Sequence, residues 1–473
     1  MTTPSGAPGK TDERGTHRRD PYGHADMQRL LEPASVALVG ASSNPASLGG
    51  RTLANLSTFP GMLYPVNARH AQLAGRTCYH SITDLPESPD CVVLAVPQEA
   101  VMDVASECAA RGVGALIVLA SGYAETGEQG AREQQALLAL GRQHGMRIVG
   151  PNCVGVAHRG RGLHAAFAEF PPGPSVPGAR VGLIAQSGAL GLGLSQAAGN
   201  GMSISHVLTC GNSCDVDVAD YVAWLAQDVS CDSIALAFEG LEDPQRLREA
   251  ARLARAAGKR IAACKLGVSD DGRAAARWHT NTATDVDGGW PQFFAACGIV
   301  QVTRIEALME NASFLAKAPS SRTGGVAVVS GSGGTAILAM DAAQRHGFST
   351  PQPLESTAGR LRSAVPAFGS PRNPCDATAQ ATRNPESLLA CADAMLADPQ
   401  YAALVIPWGR SQPARLIPEL GTLSRRHGKP LCLVWMSQLA GGAAAEEVEQ
   451  QPGVALFRSL DICFEALANW QKV

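Results

Sequence analysis

Charge is sparse in this sequence, and long apolar runs are missing. Charged residues make up 17% of the 473 positions, and the formal net charge is -3. A chain this close to neutrality has no electrostatic attraction for nucleic acid or for an anionic membrane, so neither is predicted as a partner. Gly, Pro or polar residues interrupt every apolar stretch before it reaches the roughly 20 residues that span a bilayer. The sequence therefore predicts no membrane segment.

Residues 1–25 lack a targeting signal. They are polar and mixed in charge, without the apolar run that a secretory signal peptide needs. This segment is predicted to be a flexible N-terminal tail, and a cytoplasmic location is expected.

The 13 cysteines lack the spacing of a metal or redox motif. The closest pair, Cys210 and Cys214, does not have the two-residue spacing of a zinc knuckle. We therefore predict no metal ligands and interpret the cysteines as buried free thiols in a reducing compartment.

What the chain does contain is a repeated alternation of short apolar runs with segments of helical spacing. Apolar residues make up 45% of the chain, which predicts a folded protein of two to four domains. Because the runs are apolar without alternation, they are typical of parallel strands covered by helices on both faces. The runs are Val36–Gly40, Cys91–Pro97, Ala115–Ser121, Arg147–Pro151, Val181–Gln186, Ser233–Gly240, Arg260–Lys265, Val326–Ser330, Ala402–Pro407 and Leu431–Met436.

Two breaks divide this α/β pattern into three domains. A loop rich in Pro and Gly at Phe170–Gly178 and a second break at Ala318–Gly324 act as linkers. After the tail, the predicted domains are 26–160, 175–318 and 322–473. The first has the pattern of a doubly wound sheet.

Several strand ends of the first domain carry small residues. Gly40-Ala41-Ser42-Ser43 precedes Gly49-Gly50 and a helix-like segment, where free N–H groups and the helix dipole favour a phosphate. The spacing is not that of the dinucleotide fingerprint, and a tight turn without a ligand is an equally good interpretation. The strand ends at Val66-Asn67 and Val96-Pro97 and the turn Gly150–Cys153 lie where open parallel sheets bind ligands, although each alone would be an ordinary turn.

The second and third domains carry three more candidate features. Gln186–Leu190 ends a strand and begins a helix, which predicts a second anion site. Glu239 follows a buried strand and either orients an imidazole or is simply solvated, and His279 by itself would be an ordinary surface histidine. Gly331–Ala336 fits a loose dinucleotide fingerprint and gives a nicotinamide-dependent oxidoreductase as a minor hypothesis, but no acid is placed for the ribose, so a packing turn is favoured.

Taken together, these motifs resemble one family. In their order along the chain they are similar to the CoA-binding and ligase domains of ADP-forming (nucleoside-diphosphate-forming) acyl-CoA synthetases, relatives of succinyl-CoA synthetase. The resemblance extends from about Ser35 to Val473. The motifs that carry it are Val39–Ser42, Gly49-Gly50, Pro65–Asn67, Ala95–Pro97, Ser121–Glu125, Gly150–Cys153, Gln186–Leu190, Gly211-Asn212, Phe238–Gly240, Lys265 with Gly267, and Asn373–Asp376.

The resemblance implies a Rossmann-like CoA-binding domain followed by two flavodoxin-like domains. It also implies roles for individual residues. His279 would carry a phosphoryl group and Glu239 would hold its imidazole, with phosphate at Gln186, Ser187, Gly188 and Asn152. The residues implied for CoA are Gly40, Ala41, Ser42, Ser43, Gly49, Val66, Asn67, Arg69, Val96, Pro97, Ser121 and Gly122.

The resemblance further implies an alpha-type subunit. No segment resembles an ATP-grasp domain, so a separate ATP-grasp beta subunit is expected to bind ATP or ADP with Mg²⁺, while this chain binds CoA and a carboxylic acid. The loop around His279 departs from the family, because Trp278 precedes the histidine and Asn281 replaces a glycine. That departure keeps an alternative open, namely a protein that binds CoA or acyl-CoA without complete ligase activity.

Overall fold

The computed structural model describes residues 19–174, 178–280, 286, 288–382, 384–409, 414–437 and 443–472, with the side chains of 277–280, 382 and 414 left out. The first domain is built from one parallel sheet and its helices. Its elements are α1 (His24–Leu31), β1 (Ser35–Val39), α2 (Leu48–Asn55), β2 (Met62–Val66), the hairpin β3 (Gln72–Leu73) and β4 (Arg76–Thr77), β5 (Cys91–Leu94), α3 (Gln98–Arg111), β6 (Ala115–Val118), α4 (Glu128–His144) and β7 (Arg147–Val149).

The strand order of this sheet is β2-β1-β5-β6-β7, and all neighbours are parallel. Helix α3 shows how the sequence sets its elements. Val101, Ala105 and Cys108 form its buried face, and Gly112 ends the helix in the left-handed conformation at φ 74°. The strands predicted for this domain are therefore confirmed.

The second domain is a mixed sheet of seven strands. Its elements are β8 (Gly155–His158), β9 (Leu163–Ala166), β10 (Arg180–Ala185), α5 (Gly188–Ser195), β11 (Ser203–Thr209), α6 (Val218–Gln227), β12 (Ser233–Phe238), α7 (Pro244–Ala256), β13 (Arg260–Lys265), α8 (Asp270–Thr280), α9 (Gly289–Cys297), β14 (Val300–Gln301) and α10 (Leu308–Lys317).

The strand order here is β14-β13-β12-β10-β11-β8-β9, and only β8 and β9 run antiparallel to their neighbours. The β8–β9 hairpin extends this second sheet, although the predicted boundary at residue 160 assigns β8 to the first domain. The pairing changes sheets between Val149 and Gly155, because β8 finds its hydrogen-bond partner in β11.

The third domain is a six-stranded sheet. Its elements are β15 (Gly325–Ser330), α11 (Gly333–Arg345), α12 (Glu355–Ala364), β16 (Ser370–Pro371), β17 (Cys375–Asp376), α13 (Pro385–Ala397), β18 (Tyr401–Trp408), α14 (Ile417–His427), β19 (Leu431–Trp435), α15 (Ala443–Gln450), β20 (Val454–Phe457) and α16 (Leu460–Trp470). The order is β16-β17-β15-β18-β19-β20, parallel except for the β16–β17 pair. The α/β fold class with parallel sheets is thus confirmed.

The second and third domains share an apolar core. Helix α10 packs against β12 and β13 on one side and against β20 and α16 on the other. At its end Lys317 forms an ion pair of 2.6 Å with Glu449 of α15, and their side chains are 1% and 4% exposed. A buried charge pair thus lies within this contact.

The first and second domains are joined by main-chain hydrogen bonds. The segment 212–216 of the second domain donates from three amides to carbonyls at the end of β7 and the turn after it. The pairs are Asn212 with Pro151 at 2.9 Å, Cys214 with Gly150 at 3.1 Å and Val216 with Ile148 at 3.0 Å. The chain that crosses between the two sheets is therefore fixed along its length.

Residues 19–25 are not part of a loose tail, which corrects that portion of the prediction. Arg19 donates to both carboxylate oxygens of Asp220 at 2.8 Å, and the Tyr22 hydroxyl donates to Asp215 at 2.6 Å. These acids lie about 200 residues further along the chain, so their contacts with the segment could not be predicted from local sequence. No helix in the described residues is long and apolar enough to cross a membrane.

Candidate active site

A cavity of about 390 Å³ lies between the first and second domains. Six of the residues predicted for the site line it, together with Asn212, Phe167 and other neighbours. The six are Ser121, Asn152, Gln186, Ser187, Gly188 and Glu239. Strand ends of both sheets meet here, which is where open α/β sheets bind their ligands.

The first turn of α5 faces this cavity. Ser187 is the N-cap, and its hydroxyl accepts from the amide of Leu190 at 3.5 Å. A side chain at Gly188 would collide with Val154, so the main chain of the two segments can approach only because position 188 is glycine. The N–H groups of a first helical turn have no partner within the helix, and with the helix dipole they favour an anion.

Gln186, predicted to bind phosphate, lines the cavity and also holds the end of β12. Its side-chain oxygen accepts from the amides of Glu239 at 2.8 Å and Gly240 at 3.1 Å, and the residue is only 3% exposed. The amide oxygen is therefore committed to holding the end of β12. Gln186 fixes the position of Glu239 at the edge of the cavity.

Asn212 connects the two domains beside the cavity, and it was missed as a site residue. Its amide donates to Glu125 at 2.5 Å and to Gln134 at 3.0 Å, and its oxygen accepts from Asn152 at 3.3 Å. Burial opposes ionisation of Glu125, but the hydrogen bonds from Asn212 and the Gly122 amide hold its pKa below the usual value. The motif Gly211-Asn212 was recognised in the sequence, but the contacts that Asn212 makes with the first domain were not.

The turn Gly40–Ser43 only partly fits its predicted role. The amides of Gly40 and Ala41 both donate to the carbonyl of Val66, at 3.0 and 3.3 Å, so they are not available to a phosphate. Ser42 and Ser43 are the positions of this turn that remain for a ligand. Gly49 packs against the Gly40 carbonyl with no room for a side chain.

The other residues predicted for CoA lie along the same edge of the first sheet but outside the cavity lining. Asn67 donates to the Ala41 carbonyl at 2.8 Å and so supports the turn. Arg69 and Pro97 are exposed, Val96 is half-buried, and Gly122 adopts φ 111°. Leu48, the first residue of α2, reaches the cavity from this edge. Through Leu48, this edge of the first sheet therefore borders the cavity.

The predicted phosphoryl carrier falls at the border of the described chain. His279 belongs to the last turn of α8 and so lies in a helix and not in a loop, and its side chain lies outside the described residues. Helix α8 runs beside the turn Ala124–Thr126, which follows Ser121 and Gly122. The pairing of His279 with Glu239 stays a prediction.

A cysteine also lies at the cavity. Cys153 lines the cavity, but burial raises the pKa of its thiol to about 12, so it is not a nucleophile at neutral pH.

In the third domain, Gly331 packs against the indole of Trp408, and the hydroxyls of Ser330 and Thr335 are 2.5 Å apart. A cavity of about 250 Å³ also lies at this turn and is lined by Ser332 and Thr335, so the interpretation of Gly331–Ala336 as a packing turn stays a prediction.

Comparison with known proteins assigns both domains that form the cavity. Residues 34–159 match the family described as CoA binding domain, and residues 178–315 match the succinyl-CoA ligase like flavodoxin domain. The computed fold is similar to dinucleotide forming acetyl-coenzyme A synthetase 1 of Ca. Korarchaeum cryptofilum, solved in complex with phosphate and ADP. That match has a TM-score of 0.81 at 26% identity and covers 94% of this chain and 96% of the other.

Two relatives define the extent of the match. The alpha subunit of acetate-CoA ligase [ADP-forming] II from Pyrococcus furiosus is 30% identical over 463 residues, which are 94% of this chain and 98% of the relative. A trans-feruloyl-CoA synthase of an unknown prokaryotic organism is 33% identical over 83% of this chain, which spans only 56% of that relative. On these matches, the chain belongs to the family of ADP-forming acyl-CoA ligases.

Proposed function

We propose that this chain is the alpha-type subunit of an ADP-forming acyl-CoA synthetase. It would interconvert acyl-CoA, phosphate and ADP with a carboxylic acid, CoA and ATP. The observation that carries the proposal is the cavity between the CoA-binding and ligase domains, where Ser121 and Asn152 meet the start of α5 and Glu239.

The chemistry takes three balanced steps. Phosphate attacks the thioester carbonyl, and CoA leaves as a thiol to give an acyl phosphate. The imidazole of His279 then displaces the carboxylate from phosphorus and becomes phosphohistidine. Finally ADP takes the phosphoryl group, and free His279 and ATP result. Each step moves a phosphoryl or acyl group without oxidation.

The described residues supply positioning and electrostatics for these steps. The first turn of α5, with Ser187 at its N-cap, would hold the phosphate and the phosphoryl group on His279. Glu239 would accept a hydrogen bond from the far nitrogen of the imidazole and so keep the attacking nitrogen unprotonated. CoA would extend from Ser42, Ser43 and Arg69 along this edge of the first sheet, with its thioester in the cavity.

The relatives suggest the substrate class and a partner. Their names include acetate and trans-ferulate as the acids and place an alpha subunit in an assembly. We infer a carboxylic acid of this kind for the present chain. The ATP or ADP with Mg²⁺ would bind to a separate ATP-grasp beta subunit, and the complex would act in the cytoplasm.

Phosphohistidine formation tests the proposal without the partner. The purified chain, given acetyl-CoA or feruloyl-CoA with ³²P-labelled phosphate, is expected to gain an acid-labile, alkali-stable label. His279→Ala should abolish the label, whereas His144→Ala, an exposed histidine at the end of α4, should keep it. Adding ADP and the ATP-grasp chain should convert the label to ATP. A label that persists in His279→Ala would overturn the assignment.

The alternative is a protein that binds CoA or acyl-CoA without turnover. The specific reason to keep it is the sequence departure at Trp278 and Asn281 beside the carrier histidine. It predicts a calorimetric signal with CoA but no labelling with any acyl-CoA, even with the ATP-grasp chain present. Labelling of His279 would exclude it, and absence of CoA binding would contradict both functions.

A further inference from the structure

Two histidines and one aspartate converge in the second domain, outside the residues that line the cavity. His158 on β8 and His206 on β11 are cross-strand neighbours, and their ring centroids are 4.0 Å apart. Asp228, just after α6, places Oδ2 3.0 Å from Nε2 of His206 and 4.0 Å from Nε2 of His158. The three potential ligand atoms lie within 4.8 Å of one another.

These side chains are buried, so their polar atoms need partners. His158 is 2% exposed, His206 0% and Asp228 7%. In folded proteins buried polar atoms are nearly always hydrogen-bonded, and one that is not requires an explanation. The Nε2 atom of His206 has no hydrogen-bond partner among the residues that the structure describes.

The hydrogen bond made by Nδ1 fixes the tautomer of His158. Nδ1 lies 3.1 Å from the carbonyl oxygen of Leu31, which can only accept, so Nδ1 carries the proton. With the proton on Nδ1, the other ring nitrogen of His158 is an acceptor. Its Nε2 therefore presents a lone pair to the carboxylate of Asp228. Metal-bound histidines show this arrangement, with the other ring N–H donated to a carbonyl.

A lone pair that faces a carboxylate needs a positive group between them. The Ser230 hydroxyl has one proton, and its oxygen lies 2.8 Å from Asp228 Oδ2 and 3.5 Å from His158 Nε2. The hydroxyl can donate that proton to only one of these two acceptors. His206 Nε2 is 3.0 Å from the same carboxylate oxygen but does not meet the geometry of a hydrogen bond to it. Ligand atoms that bind the same ion point towards the ion and not towards each other.

We propose that His158, His206 and Asp228 bind a zinc ion. Two imidazoles and one carboxylate are a donor set that suits Zn²⁺. With Zn–N and Zn–O bonds of about 2.0–2.2 Å, tetrahedral ligand atoms are roughly 3.4 Å apart, and the distances of 3.0 and 4.0 Å lie on either side of that value. The Ser230 hydroxyl or a water would complete the shell.

The surroundings allow an ion to enter and give it a structural role. Val229, between Asp228 and Ser230, is 88% exposed, so the site lies directly beneath a surface loop. Lys259 donates to the main-chain oxygens of Leu225 and Asp228, which leaves the carboxylate of Asp228 free for the ion and Ser230. Because His158 is also bound to Leu31 at the end of α1, the ion would strengthen the contact between the first and second domains.

Metal content is the first test. The full chain, purified with zinc present and dialysed, is expected to hold one zinc per chain by mass spectrometry. The double variant His206→Gln/Asp228→Asn should lose it, whereas His164→Gln, a half-buried histidine bound to the Ala168 carbonyl, should keep it. Removing zinc with a chelator should lower the unfolding temperature of the wild type but not of the double variant. Equal zinc in the wild type and the double variant would overturn the proposal.

Spectroscopy of the wild type decides the matter if the double variant does not fold. X-ray absorption at the zinc edge should give nitrogen and oxygen ligands at about 2.0–2.2 Å and no sulfur at about 2.3 Å. The Co²⁺-substituted chain should show visible d–d bands without a thiolate charge-transfer band. Sulfur ligation would mean that zinc is held by cysteines, and no bound metal would mean a purely hydrogen-bonded cluster. Either result would refute the site.

Discussion

Gly188 offers the sharpest test of the anion site at the start of α5. A methyl group at this position would lie under 3.0 Å from Val154 Cγ2 and 3.1 Å from Val154 Cβ, whereas carbon atoms in contact normally stay about 3.5–4.0 Å apart. Since Val154 belongs to the fixed segment between the two sheets, we expect Gly188→Ala to push the helix start away from it.

The magnitude follows from the size of the overlap. Forcing one extra carbon into a packed contact costs about 1–3 kcal/mol, so Gly188→Ala should lower the free energy of unfolding by that amount. Displacement of the amide groups of α5 should weaken phosphate binding by roughly 10-fold or more, because anion contacts depend on sub-ångström placement. Urea unfolding measures the first effect and calorimetry with phosphate the second.

Two variants control this experiment. Gly193→Ala adds a methyl to the same helix in open space, so it should stabilise the chain by about 0.5–1 kcal/mol and leave phosphate binding unchanged. Adding Val154→Ala to Gly188→Ala removes the colliding Cγ2 and should restore most of the affinity. If Gly188→Ala behaves like Gly193→Ala in both assays, the proposed anion site at α5 is wrong.

Two further changes test the CoA turn and the contact of the third domain. Gly40→Ala should cost more than about 2 kcal/mol and weaken CoA binding measured by calorimetry, because Gly40 has φ 84° and an added methyl would meet the Ala95 carbonyl. Gly112→Ala, with φ 74° but open space, should cost only about 1 kcal/mol, and an equal loss in both would contradict the packing argument. Lys317→Met should cost about 3–5 kcal/mol in urea unfolding by leaving Glu449 buried without its partner. Adding Glu449→Leu should recover most of this loss. A double variant as unstable as Lys317→Met alone would refute the idea that the unpaired carboxylate of Glu449 causes the loss.

The sequence predicted the sheets well because their strands are buried on both faces. Runs such as Val36–Gly40 and Ser233–Gly240 are continuous and apolar, and such runs leave few alternatives. The β8–β9 hairpin was missed because its pairing with β11 depends on partners far along the chain. The same reason hid the contacts of Arg19 and Tyr22 with the acids around α6.

The candidate site was predictable as a set of positions but not as a set of contacts. The order of the motifs predicted that Ser121, Asn152 and Glu239 belong to one site, and all three line the same cavity. It could not show that the Val66 carbonyl occupies the amides of Gly40 and Ala41, or that the Gln186 oxygen is committed to β12.

The proposed zinc ligands were invisible in the sequence. Zinc motifs are recognised by short spacings within one segment. Here β8, β11 and the end of α6 each contribute one ligand, and only the pairing of β8 with β11 brings the histidines together.

The main-chain bonds from segment 212–216 to the end of β7 have a mechanical consequence. A hinge needs a few residues whose dihedral angles can change, but at this crossing the carbonyls of Ile148, Gly150 and Pro151 are all bound to the neighbouring domain. The two walls of the cavity are therefore held together at this crossing. For the proposed carrier His279, this means reaching a pocket whose walls are already joined.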